Sequence, residues 1–265
     1  MRVCCLASGS KGNCTFIESD GCKLLIDVGL STKEVEKRLS LVGVQASEID
    51  AILITHEHSD HIGGLRTFVN KYHIPVYAHI SGMKAIVEKQ EIPIHLQISF
   101  LDNAFNIKDV MVTPFRLSHD SICSIGYSVS CEGKKVSIMT DTGVAPDDAV
   151  NIMSGSDLII LESNHNKKML LDNPNYSMFL KKRILSVRGH LSNEECALTI
   201  LRCLQKGYTT QFVLAHLSEN NNDPVVAFNE VTAKLRDYGV YEGQDIYIDI
   251  ALQHKISNIF TIENN

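Results

Sequence analysis

Residues 55–61 read Thr55-His56-Glu57-His58-Ser59-Asp60-His61, which places three histidines and an aspartate within six positions. Imidazole nitrogens and carboxylate oxygens are the donors that suit borderline divalent metals such as zinc, manganese or iron. On an extended turn His56 and His58 point the same way, and Asp60 with His61 face a second position nearby. The bland alternative is a solvated polar loop. Loops seldom concentrate histidine this strongly, and the segment is read as a metal centre.

Such a cluster needs a scaffold that ends several strands at one place. The segment itself follows an apolar run, Ala51–Thr55, and precedes a helix with Leu65, Phe68, Val69 and Tyr72 at helical spacing. Upstream, short strands are expected at Arg2–Leu6, Cys14–Glu18 and Lys23–Asp27, with an Asp20-Gly21 turn between the last two. Ser31 or Thr32 caps a helix running to about Leu41. Downstream come a strand at Val76–Ala78, a short helix near Gly82–Lys89, and strands at about 96–101, 110–117, 124–131 and 135–140. Pro146 opens a helix, Asp157–Glu162 is an apolar strand, and Asn193 starts a helix to Lys206. A strand at Gln211–Ala215, a helix from Pro224 to Tyr238 and a final strand at Asp245–Ala251 complete the pattern, leaving a tail over about 252–265. This order predicts one compact α/β domain over residues 1–265, with two sheets inside helical layers.

The composition agrees. Hydrophobic residues make up 44% of 265, enough for a sizeable core, and no apolar run approaches a membrane span. The net charge of −6 argues against a protein that coats nucleic acid over its whole surface, but leaves room for a local basic groove. Eight cysteines without a C-x-x-C pair point to reduced thiols, and Met1-Arg2-Val3 leads directly into a strand, so a cytoplasmic location is expected.

The pattern H-x-H-x-D-H after a strand resembles the signature of the metallo-β-lactamase superfamily. The resemblance implies a four-layer αββα sandwich. Three further residues match that family's remaining ligand positions in order, each at the end of an apolar strand. They are His119 in Leu117-Ser118-His119-Asp120, Asp141 in Thr140-Asp141-Thr142-Gly143, and His216 in Leu214-Ala215-His216-Leu217-Ser218. Alone, His119 or His216 would read as an ordinary strand-end histidine. By resemblance, two divalent ions are held, one by His56, His58, His119 and Asp141, the other by Asp60, His61, Asp141 and His216. Cations sharing a carboxylate also share a water and make it hydroxide at neutral pH. Glu57 and Asp120, adjacent in sequence, are the expected partners for the second ring nitrogens of the histidines.

Within the superfamily the substrate class is narrowed by what surrounds these positions. The bridging residue is Asp141, where the exported zinc β-lactamases carry cysteine, and the chain after His216 is too short for a glyoxalase-II-type helical domain. Leu161-Glu162-Ser163-Asn164-His165 and Gly189-His190-Leu191-Ser192 resemble segments of tRNase-Z-type phosphodiesterases. That resemblance implies that His190, supported by Glu162, stabilises or protonates the reacting phosphate, with His165 a second candidate. The alternative is that Glu162 ends a strand and His190 caps a helix. Between His165 and His190, Lys167, Lys168, Lys181, Lys182, Arg183 and Arg188 stand against one acid, Asp172. A basic groove for phosphates or a solvated helix face would both look like this. Lys181, Lys182 and Arg183 are taken as candidate substrate contacts, together with Ser10, Asn13, Ser218 and Asn221. The glycine-bounded loop Ser8–Asn13 offers backbone N–H groups to a phosphate, although a plain tight turn would need the same glycines.

From about residue 2 to 250 the chain is similar to the YycJ/WalJ type of small metallo-β-lactamase proteins. Ser8–Asn13, Ile26–Ser31, Glu162–His165, Gly189–Asn193 and His216–Asn222 carry the match. That type is associated with bacterial DNA exonuclease activity from 5′ ends and with the neighbourhood of an essential two-component system. The Asp141–His216 interval is too short for the added domain of β-CASP nucleases, and no Gly/Pro-rich arm for gripping tRNA is present. The expected activity is that of a metal-dependent phosphodiesterase, foremost a 5′→3′ exodeoxyribonuclease. In it Asp60 orients the hydroxide and His190 assists departure of the leaving oxygen. Its partner is nucleic acid, DNA foremost, with a homo-oligomer left open and no membrane. The rival enzyme acts on cyclic or dinucleotide substrates. A rival of another class keeps the metals structurally and binds a signalling partner, which would not need all seven ligands intact.

Overall fold

The computed structural model describes residues 1–263. The first half forms one sheet from β1 (Arg2–Ala7), β2 (Cys14–Glu18), β3 (Lys23–Ile26), β4 (Ala51–Leu53), β5 (Val76–His79) and β6 (Gln97–Phe100). The first three run antiparallel through tight loops, and the pairs from β3 to β6 are parallel. Parallel neighbours need crossovers. These are α1 (Thr32–Leu41), the short α2 (Ser59–Ile62) with α3 (Leu65–Tyr72), and α4 (Ile80–Gln90).

The second half builds the other sheet: β7 (Phe105–Ile107), β8 (Val110–Arg116), β9 (Ile125–Cys131), β10 (Lys134–Met139), β11 (Leu158–Glu162), β12 (Gln211–Ala215) and β13 (Tyr247–Ile250). These seven lie in sequence order across the sheet, antiparallel from β7 to β10 and parallel from β10 to β13. Its helices are α5 (Asp147–Met153), α6 (Lys167–Asp172), α7 (Met178–Ile184), α8 (Asn193–Lys206) and α9 (Pro224–Arg236).

Side-chain alternation explains the layering. In β1, Cys4 and Leu6 pack with Val35, Leu39, Phe68 and Ile86 of the helices on one face, while Val3 and Cys5 enter the inter-sheet core. In β11, Leu158 and Ile160 enter that same core, while Ile159 and Leu161 meet Val150, Ile200 and Val231 on the outer side. The result is a single-domain αββα sandwich with three apolar interfaces. All eight cysteines are free thiols, and among the described residues no helix is long and apolar enough to cross a membrane.

Several boundaries differ from the sequence reading. β4 stops at Leu53, which leaves Ile54 and Thr55 in the turn, and β7 is an additional three-residue strand. The stretch from about 252, expected as a tail, packs on the sheet as far as Ile262. Ser257 N donates to Cys5 O at 2.9 Å, Phe260 and Ile262 are buried, and β14 (Phe260–Thr261) pairs with β1 on the sheet edge. Residues 264 and 265 of the expected tail lie outside the described residues.

Candidate metal centre

Strands from both sheets end at one rim of the sandwich, and each delivers a polar residue there. Asp27 follows β3, Thr55 and His56 follow β4, His119 follows β8, Asp141 follows β10, Glu162 ends β11 and His216 follows β12. Three of these, Asp27, Asp141 and His216, have φ of 63°, 60° and 55°, the left-handed region that Asp and His enter more readily than most side chains. The neighbouring Gly29 is required by close approach. A Cβ there would stand 1.8 Å from Asp60 O, the carbonyl that accepts Asn13 N at 2.7 Å and fixes the ligand turn.

Two trios of donors result. His56, His58 and His119 each offer an atom within 4.8 Å of the others, and so do Asp60, His61 and His216. Asp141 lies between them. Its Oδ2 is 3.1 Å from His61 Nε2, and its Oδ1 is 3.5 Å from His216 Nε2 and 3.7 Å from His119 Nε2. Among the described residues, Asp141 Oδ2 and His216 Nε2 are buried without a hydrogen-bond partner. Each such orphan costs about 1–3 kcal/mol. A divalent cation satisfies both, and the nitrogen-and-carboxylate donor set is one that borderline divalent metals accept. The site fits divalent metal ions.

The electrostatics of these side chains point the same way. Burial and the neighbouring charge of His61 push His56 well below the ordinary imidazole range. Burial works in the same direction on His216, yet Asp141, Asp60 and Glu162 overrule it and raise that ring to about 10. Burial likewise opposes ionisation of Asp141, and the facing His216 and His61 nevertheless hold it well below the usual carboxylate range. Protons on His61 and His216 are therefore displaced when a cation binds.

The partners that orient the ligands differ from those expected. His61 Nδ1 donates to Asp27 Oδ2 at 2.7 Å, and Asp27 also accepts Thr55 N and Thr55 Oγ1, both at 2.8 Å. His119 Nδ1 donates to Gly189 O at 3.0 Å, and His216 Nδ1 lies 3.1 Å from Glu162 Oε1. Glu57 instead accepts from Ile122 N at 3.0 Å. Asp120 pairs with Arg183 and approaches Nε2 of His119, the nitrogen that faces Asp141, at 3.3 Å rather than its Nδ1. Both carboxylates are turned by the chain direction after their histidines, which sequence adjacency does not report. Asp27 was missed as an orienting group. Its signal was an aspartate directly after an apolar strand, two residues before a glycine.

The structure brings Glu162 and His190 together. His190 Nδ1 donates to Glu162 Oε1 at 2.7 Å, while Glu162 Oε2 accepts Thr142 N at 2.9 Å and Leu191 N at 3.3 Å. Burial pushes the Glu162 carboxyl up, but His190 and His216 bring it down to about 2. In return, despite burial, the Glu162 charge raises His190 above its ordinary range. His190 Nδ1 is 3.7 Å from Asp141 Oδ1, next to both trios.

A family model described as the metallo-beta-lactamase superfamily matches residues 7–216. The chain belongs to the metallo-β-lactamase superfamily. Within that superfamily it is 35% identical over 247 residues to the exodeoxyribonuclease YycJ of Bacillus anthracis, covering 91% of this chain and 92% of the relative. It is 33% identical to the exodeoxyribonuclease WalJ of Streptococcus pneumoniae, covering 92% of this chain and 91% of the relative. Among solved structures, zinc-bound PqqB from Methylobacterium extorquens superposes with a TM-score of 0.73 at 13% identity, over 99% of this chain and 100% of that one. That likeness concerns the fold.

The remaining candidates of this metallo-β-lactamase-superfamily chain divide by location. Ser10, Arg183 and Ser218 line the cleft that also exposes His190. Asn13 and Asn221 are buried and engaged within the protein. Asn13 Oδ1 accepts Gly9 N at 2.8 Å, and Asn221 Oδ1 accepts Asn173 Nδ2 at 2.7 Å. The N–H groups of Ser8, Gly9, Lys11, Gly12 and Asn13 are all spent on internal acceptors, which reduces the expected phosphate loop to Ser10, the residue of it that lines the cleft. Lys181 is turned inward and donates to Leu171 O at 2.6 Å, so its charge does not face a groove. Lys182 is exposed, but it does not line the cleft. Of the other basic residues, Lys167 pairs with Glu194, Lys168 with Asp172, and Arg188 donates to His119 O. His165 is buried with neither ring nitrogen bonded among the described residues, and burial lowers it to about 4. It lies off the cleft.

Proposed function

We propose that the chain is a metal-dependent exodeoxyribonuclease that degrades DNA from 5′ ends, with Asp141 bridging two divalent ions. The observation that carries this reading is the His190–Glu162 pair set 3.7 Å from Asp141. Hydrolysis of an unactivated phosphodiester expels an alkoxide, which needs a proton at the moment it leaves. Bound divalent cations supply acidified water and neutralise phosphate charge.

The protein's own groups do the rest. Glu162 occupies His190 Nδ1 and keeps the ring protonated, leaving Nε2 as the atom that delivers the proton. Asp60 orients the attacking water. Ser10, Ser218 and Arg183 hold the phosphate oxygens and the neighbouring backbone at the cleft. His190 rather than His165 is the donor, because His165 does not line the cleft. The names of the relatives support DNA as substrate. Eight free thiols, seven of them buried, suit a reducing cytoplasm.

The test is digestion of 5′- and 3′-end-labelled DNA and RNA by the purified protein, with manganese, zinc or chelator. Early release of 5′-labelled mononucleotide from DNA, abolished by chelator, is expected. Cleavage confined to cyclic or dinucleotide substrates would replace this reading with that of a small-molecule phosphodiesterase.

A further inference from the structure

The segment between β11 and α8 builds a wall beside the proposed proton donor. Tyr176, Leu180, Arg183 and Ile184 recur at helical spacing on one face of α7 and its approach, and all four line the cleft of about 310 Å³ that contains His190. The wall is fastened at both ends. Tyr176 Oη accepts from Asn220 Nδ2 at 3.2 Å, Asn173 Nδ2 donates to Asn221 Oδ1 at 2.7 Å, and Lys181 reaches back to Leu171 O. At its far end Ile184 O accepts His190 N at 3.0 Å, directly joining the hydrocarbon face to the reacting group. A side chain at Gly189 would place Cβ 2.0 Å from Ile184 O, so this close junction depends on glycine.

An aromatic ring and two aliphatic side chains, half-buried beside a phosphate-cleaving centre, give a phosphodiester's apolar substituent somewhere to go. In a nucleic acid that substituent is the nucleobase, and base–aromatic stacking tolerates every base because each has a π-face. The side of the phosphate is set by His190. When water's oxygen bonds to phosphorus and the P–O3′ bond breaks, the proton from His190 goes to the departing 3′-oxygen, which belongs to the 5′-terminal nucleoside. That nucleoside therefore lies on the His190 side. A cleft at the small end of ligand pockets, which run from about 300 Å³ upward, suits one nucleotide.

We propose that Tyr176, Leu180 and Ile184 form a stacking shelf for the 5′-terminal nucleobase, which makes the enzyme release mononucleotides with little sequence preference. This rests on the exodeoxyribonuclease reading above.

The experiment uses full-length, metal-loaded protein and two single-stranded oligodeoxynucleotides that differ only in the 5′-terminal residue, thymidine or an abasic tetrahydrofuran. The shelf predicts that the thymidine end is released faster by about tenfold or more, the scale of one base–aromatic stack. Tyr176→Ala brings the ratio of the two rates towards one, whereas Tyr176→Phe, which keeps the ring and loses the Asn220 hydrogen bond, preserves it. Equal rates in the unmodified protein overturn the shelf and leave the nuclease reading standing. So does an unchanged ratio in Tyr176→Ala. If Phe loses as much as Ala, the latch to Asn220 and not the ring is responsible, and the shelf is again overturned. Release of neither end, with no other DNA cleavage, removes the nuclease reading and the shelf with it.

Discussion

Replacing Asp27 by Asn changes one atom and inverts a hydrogen bond that the metal centre depends on. The Asp27 carboxylate accepts Thr55 N through Oδ1 and both Thr55 Oγ1 and His61 Nδ1 through Oδ2. In the variant the amide oxygen must stay on Thr55 N, since a buried backbone N–H left alone is costly. That turns the amide NH2 towards His61 Nδ1, donor against donor. His61 escapes by moving its proton to Nε2, the nitrogen that faces Asp141 and Asp60, and a protonated nitrogen does not ligate. The loss is one charge-assisted hydrogen bond, about 1.5–3 kcal/mol, or roughly 10- to 100-fold in metal affinity. Titration with zinc or manganese against a chelating dye reads this directly. The Asp60–His61–His216 position is expected to weaken by that factor, with DNA cleavage lost at limiting metal and regained at high metal. Thermal stability of the metal-free protein should fall as well, because the Asp27 charge and hydrogen bond help keep His61 protonated there, even though Asn tolerates the φ of 63° that Asp27 adopts. Unchanged affinity in Asp27→Asn would refute the tautomer argument.

Asp141→Asn, at the residue between both trios, should strip metal from both positions, and two ions still bound per chain by elemental analysis would remove Asp141 from the bridging role. His190→Ala should keep its metal but slow DNA cleavage by about a hundredfold. A nitrophenyl phosphodiester, whose leaving group needs no proton, should be much less affected, and equal losses on both would point to a binding role. Gly29→Ala drives a Cβ against Asp60 O, so the soluble variant should melt at lower temperature and bind less metal; an unaltered melting curve contradicts the close approach. Lys181→Ala should act on stability, lowering Tm by a few degrees, roughly the effect of 1–2 kcal/mol in a domain of this size. Lys182→Ala should leave Tm alone. A changed salt dependence on DNA in Lys181→Ala without a change in Tm would return that residue to a groove.

Strand ends were legible where an apolar run stops abruptly at a polar residue, as Gln211–Ala215 does before His216, and not where β4 ends at Leu53 ahead of the apolar Ile54. His56, His58 and His61 stood out by type and spacing and His119 and His216 only by resemblance, whereas the groups that orient these rings did not stand out. Asp27 lies 34 residues before His61, and the partner of His119 is a backbone carbonyl, which no side-chain pattern can announce. Short elements also escaped. α6 and α7 have six and seven residues, less than two full turns each, and β14 has two. The basic stretch misled for a different reason. Sequence counts charges without direction, and Lys181 spends its ammonium on Leu171 O while Lys167 and Lys168 are neutralised by neighbours.

The strand added by residues 260–261 has a practical consequence. It brings the two ends of the described chain together, with the amino group of Met1 donating to Ile262 O at 2.7 Å. This junction lies at the start of β1, and the metal rim at the other end of that strand, where Ser8 Oγ receives His216 N at 2.7 Å. Six strand residues, about 20 Å, separate the two. The junction also neighbours the Glu132-Gly133 turn between β9 and β10. Circular permutation is thereby open to this protein. A short linker across Ile262 and Met1, with new ends cut at Gly133, would change the order in which the strands are made while leaving the catalytic rim, the cleft and the wall around it at the opposite pole of the molecule.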